Sequence, residues 1–230
     1  VEGNFPPKTD LVITLDNGQV ITIKAGQFEG SVTFDNPNEE DVYLDASTET
    51  YLGDSVTGGG YENLTVQDSV EVTVADTIDD TTLTLSAEPV LEGEQITVKA
   101  EVDHAPETDL TITLDNGEVI VIKAGETTGE VTFDNPIADN VYVDEDRTVT
   151  VKVVSTEGGN YENLLDDVAV DVTVTDEPFT PEENQGDEVQ VTLAAEDALE
   201  GKDITITAKV EGNFPPKTDL VITLDNGETI

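Results

Sequence analysis

The chain has 230 residues, no Cys, Met or Trp, and 52 Asp plus Glu against 9 Lys plus Arg, for a formal net charge of -43. Without cysteine there is neither a disulfide framework nor a thiolate metal site, and so acidic a surface repels nucleic acid and anionic membranes alike. No run of about 18 apolar residues is present to span a bilayer; divalent cations are the natural counter-ligands, although much of the acidity also serves solubility.

In chain order, residues 1–18, VEGNFPPKTDLVITLDNG, return unchanged at 210–227. Anchoring on Asp10-Leu11, Asp109-Leu110 and Asp219-Leu220 sets three copies of one pattern at offsets of 99 and 110 residues. LDNG starts at 15, 114 and 224, IKAG at 23 and 122, VTFDNP at 32 and 131, YENL at 61 and 161, and VTVAD at 72 answers VTVTD at 172. A period of this size has to be recognised before any fold is assigned. The missing front of the first copy stands in the third, where residues 191–210 answer residues 83–102. Four segments are therefore expected. Residues 1–77 are the back of a repeat lacking its first two strands, 78–176 a whole repeat, 177–187 a linker, and 188–230 the front of a third repeat.

Each copy reads as strands. In LTITLD, Leu110, Ile112 and Leu114 alternate with threonines, which puts one face inward and one in water. Asn116-Gly117 predicts a type I′ hairpin turn into EVIVIK. Val131 and Phe133, then Val149, Val151 and Val153, then Val168, Val170, Val172 and Val174 continue the alternation, with TLTLSA and QITVKAEV in front. About seven strands in roughly 100 residues, with no helical period, predict an all-β chain of tandem immunoglobulin-like β-sandwich domains. Residues 46–60 of the first copy depart from the cleaner EDRTVTVKVVSTEGG, so a strand there is less firmly predicted.

Chemistry concentrates at the junctions. Asp76, Asp79 and Asp80 crowd five residues, and two unit charges about 5 Å apart repel by roughly 0.8 kcal/mol even in water. Calcium takes six to eight oxygens in forgiving geometry, whereas zinc favours His or Cys, and His104 is the only histidine. In a sandwich with termini at opposite poles, the loop after VTFDNP lies where the chain leaves for its neighbour. This places Asp41 and Asp45 near the first junction, and Asp139, Asp144 and Asp146 near Asp176 at the second. Asp103, Asp109 or a carbonyl of the following copy are further possible ligands. His104 reads as a solvated loop residue, Tyr61 and Tyr161 as packed corner aromatics, and Asn63-Leu64-Thr65 as a chance sequon. One His and no Cys leave no convergent nucleophilic set, so no enzymatic activity and no small-molecule substrate are expected.

Taken together, DTIDDTTLTLSA, LEG, LDNG, IKAG, VTFDNP, DNVYVDED and GGNYENL resemble the immunoglobulin-like extender repeats of giant RTX adhesins, which Gram-negative bacteria export by type I secretion. The resemblance implies an extracellular stalk at the bacterial surface that holds an adhesive tip away from the cell, with Ca2+ stiffening the junctions between neighbouring repeats of one long chain. The second junction, residues 176–188, is about eight residues longer than residues 76–80, a departure from a uniformly short joint. An alternative is a binding module that recognises a glycan or host protein through its end loops. Because residues 188–230 plus 19–77 would compose one sandwich, end-to-end association of fragments is also expected.

Overall fold

A computed structural model of the chain describes residues 5–64, 66, 69–177 and 187–230. All of its regular structure is β, in fifteen strands. The middle copy carries β5 (Asp80–Ala87), β6 (Val90–Leu91), β7 (Ile96–Val102), β8 (Leu110–Leu114), β9 (Val119–Ile122), β10 (Thr128–Phe133), β11 (Arg147–Gly158), β12 (Asn163–Leu165) and β13 (Ala169–Thr175). They form a four-stranded sheet, β10-β7-β5-β12, facing a five-stranded sheet, β6-β13-β11-β8-β9. That is nine strands where about seven are expected, because the short β6 and β12 add parallel partners to β13 and β5.

The alternation in the sequence sets what is inside. Ile96, Val98, Ala100 and Val102 of β7 and Leu83 of β5 point from one sheet at Leu110, Ile112, Leu114, Ile120, Ile122, Val151 and Val172 of the other. Each fully buried aliphatic side chain contributes about 1.5–3 kcal/mol relative to exposure. Between β8 and β9, Gly117 takes positive φ and Asn116 does not, while Leu114 accepts from the Gly117 N–H. The turn is thus a type I turn closed by a left-handed glycine, and not the predicted type I′, because the loop spans three residues instead of two. At the other end of the pair, Lys123 Nζ meets Asp109 Oδ2 at 2.6 Å and the Ala124 N–H donates to Asp109 Oδ1. The same clamp recurs in the first copy between Lys24, Ala25 and Asp10, which accounts for the repeated Asp-Leu and IKAG phrases.

In the first copy, β1 (Leu11–Leu15), β2 (Val20–Ile23), β3 (Ser47–Gly58) and β4 (Ser69–Val74) form a single sheet in the order β2-β1-β3-β4. The doubtful stretch at residues 46–60 supplies β3, as long as its counterpart β11 and with the irregularity against β1 that β11 shows against β8. VTFDNP forms no strand here, although its counterpart is β10. Strand β10 exists by pairing with β7, and no described residue of the first copy plays the part of β7. In the third copy, β14 (Val191–Ala195) pairs with β15 (Ile206–Val210), setting Leu193 opposite Ala208 as Leu85 stands opposite Ala100.

Candidate metal centre

The loops that follow VTFDNP dock on the next copy. At the first joint Tyr43 bridges to Tyr161, with the Leu44 N–H donating to Asn160 O at 3.0 Å and the Glu162 N–H donating to Val42 O at 2.9 Å. The two tyrosine rings stack with centroids 5.9 Å apart. Tyr43 OH donates to Ala105 O at 2.5 Å, and Tyr161 OH donates to the adjoining His104 O at 2.6 Å. Burial, then Tyr43 and Asp103, push the Tyr161 phenol up to about 12, so it stays a donor. Tyr161 is 8% exposed, a corner aromatic that also receives the preceding copy.

Beside this contact lies a polar cavity of about 50 Å³ lined by Asn36, Asn38, Glu39, Glu40, Asp41, Asp45, Asp76, Thr77 and Glu162, among others. Asp45, Asp41 and Asp76 therefore line one cavity. Asp79 and Asp80 do not line it. The Asp79 N–H donates to Glu162 Oε2 at 2.7 Å, and Asp80 Oδ1 accepts from Asn163 Nδ2 at 2.6 Å, so both are engaged with the middle copy's own loop. Thr77 Oγ1 donates to Glu40. Every charged group lining the cavity is a carboxylate, and the amides add further oxygens, a donor set that fits calcium and not a nitrogen- or sulfur-preferring ion.

At the second joint Asp144 and Asp176 both stand near Glu92. Asp144 Oδ1 accepts from Lys217 Nζ at 2.7 Å and Oδ2 from Asn140 Nδ2 at 3.0 Å. The Lys217 contact, then Asn140, hold the Asp144 carboxyl below its usual range. Glu92, 5% exposed, accepts from Arg147 at 2.7 Å and from Asn140. Burial pushes its carboxyl up, against the Asn140 N–H, and neighbouring Asp176 adds to the rise. Asp146 is exposed and stands outside these contacts. Asp139, Glu177 and Asp187 instead bring one carboxylate oxygen each within 4.8 Å of one another. Glu162, Glu177 and Asp187 are the residues sequence reasoning missed. The first projects from the following copy, and the other two flank a linker whose residues 178–186 lie outside the described residues. The sequon also falls there in part, at Thr65.

Residues 4–77 and 79–177 each match the family model of the LapA domain. No curated protein matches the chain.

Proposed function

Because the chain belongs to the LapA domain family, and so to the proteins of large bacterial surface adhesins, we propose that it is a stretch of calcium-stiffened stalk. In this reading it is an extender of the RTX type, exported by type I secretion, that carries an adhesive region away from the cell and has no enzymatic role. One observation carries the reading: the Tyr43 loop locks onto the following copy directly beside an all-oxygen acidic cavity. A cation there would be held by Asp45, Asp41, Asp76 and Glu162 together, and so by groups from both sides of the joint. The trio of Asp139, Glu177 and Asp187 offers a second place, at the root of the linker. Calcium supplies the charge that lets these carboxylates approach, and the tyrosine contact supplies direction.

Small-angle scattering of the chain in millimolar calcium and then in chelator tests the proposal. A narrow distribution of maximum dimension in calcium that broadens on chelation is expected, and Asp45→Asn with Asp76→Asn should reproduce the broadening in calcium. Identical profiles in the two buffers would leave the acidity to solubility alone.

A further inference from the structure

The two joints are built on the same contact but carry opposite charge at one position. Tyr43 and Tyr142 are counterparts at an offset of 99, as are Asp45 and Asp144. Tyr142 OH donates to Pro215 O at 2.9 Å, just as Tyr43 OH donates to Ala105 O, and Pro215 is the counterpart of Ala105 at an offset of 110. Two residues further on, the receiving loop carries Lys217 at the second joint and Glu107 at the first.

That exchange changes what closes each joint. Lys217 Nζ lies 2.7 Å from Asp144 Oδ1 and 4.2 Å from the centre of the Tyr142 ring, so one ammonium meets both the carboxylate and the aromatic of the preceding copy. Arg147 stands 3.7 Å from the same carboxylate. At the first joint the counterpart of Arg147 in the strand pairing is Ser47, Glu107 is taken up by Asn160 Nδ2 at 2.7 Å, and Asp45 accepts from the amide of Asn38. The lining of the first cavity contains no Lys, Arg or His.

We propose that Lys217 is a built-in cation that closes the second joint, so that the docking of the third copy on the middle copy does not depend on a divalent ion while the docking of the middle copy on the first does. The second half of that statement rests on the calcium reading above. The lysine is part of a larger pattern, since the 18-residue identity places Lys8 where Lys217 stands. Lysine thus marks one kind of copy and glutamate the other, and an array that alternates them alternates self-closed joints with ion-closed ones. The trio of Asp139, Glu177 and Asp187 adjoins this face through Asn140, whose amide reaches both Glu92 and Asp144, so it is the Lys217 variants read in chelator that separate the lysine from any ion held there.

The chain has no cysteine, so introduced cysteines are unique labelling sites. Spin-label pairs at Glu71→Cys with Glu130→Cys, and at Glu130→Cys with Thr207→Cys, span the first and second joints on exposed strand positions. In chelator, the width of the first distance distribution should at least double and that of the second should hold. Lys217→Glu should broaden the second in chelator, with calcium restoring it; Lys217→Gln should broaden it without that rescue; and Glu107→Lys should narrow the first in chelator. A second joint that broadens in chelator with Lys217 intact, or that stays narrow with Lys217→Glu, overturns the inference. A first joint that stays narrow in chelator overturns the calcium reading instead, and the Lys217 variants still decide the lysine.

Discussion

The first and middle copies share their phrases almost word for word, yet only one of them closes a core. Val172 is 1% exposed and its counterpart Val72 is 46% exposed; Ile120 is fully buried and its counterpart Ile21 only partly so. Nothing in the strands themselves accounts for this, since β1 to β4 pair in the same register as β8, β9, β11 and β13. The difference lies in the opposite layer. A half-apolar sheet is specified locally by its alternation and turns, but its inner face is buried only when a second sheet covers it. The loss of β10's counterpart teaches the same lesson, because VTFDNP has the same pattern in both copies and becomes a strand only beside a partner.

The widest test of that comparison is to supply the absent layer. Fusing residues 188–210 ahead of residue 5 should cover Tyr51, Val72, Ile13 and Ile21 at about 1.5–3 kcal/mol per side chain fully buried. Slowed amide exchange across residues 29–34 would report the new strand, and unchanged exchange would refute the idea. Next in size is a matched truncation: Ile112→Ala should cost about 2–5 kcal/mol, and Ile13→Ala, in the same phrase without the facing sheet, less than about 1 kcal/mol. Denaturant unfolding of the two variants measures the gap, and equal losses would mean that the first copy has a core of its own.

Two smaller effects should fall on both copies equally and so sharpen the comparison. Gly58 and Gly158 have φ of 86° and 88°, and a Cβ on either would meet a backbone oxygen, Asp10 O or Asp109 O, at 2.1 Å. Gly58→Ala and Gly158→Ala should each destabilise by about 1–3 kcal/mol, since the strain is local to the turn. The smallest effect is the pH response of Asp10 and Asp109, whose pKa values are lowered by the lysine contact first and the backbone N–H second. A carboxyl whose folded value is depressed adds stability above its ordinary value of 3.8 and loses it as pH falls through the folded value. Asp10→Asn and Asp109→Asn should flatten that acid limb alike, as amide exchange between pH 2 and 5 would record.

Much of this was legible before any coordinates, and for a definite reason. Strand order, core face and the first acidic cavity follow from alternation and from where loops must emerge, and those are properties of a single copy. What escaped was set between segments far apart in the chain. Asp79 and Asp80 are carboxylates in a dense run, but the middle copy's own loop engages them, Glu162 accepting from the Asp79 backbone N–H and Asn163 donating to the Asp80 carboxylate. Asp144 matches Asp45 letter for letter, and it is the partner residue, Lys217 in place of Glu107, that changes its role. Aligning the receiving loops as closely as the donating ones would have exposed that exchange.

The parallel pairing of β6 with β13 bears on how the middle copy meets mechanical load. Tension along the chain draws β6 back toward the amino end and β13 forward toward the carboxyl end, and Val90 and Leu91 lie in register with Val174 and Thr175. The two strands therefore slide past one another instead of unzipping, and the Glu92 N–H, which donates to Thr175 O at 3.0 Å, is loaded at the same instant as its neighbours. Bonds sheared together must fail together, so the weakest link under tension is not one hydrogen bond but the whole short ladder.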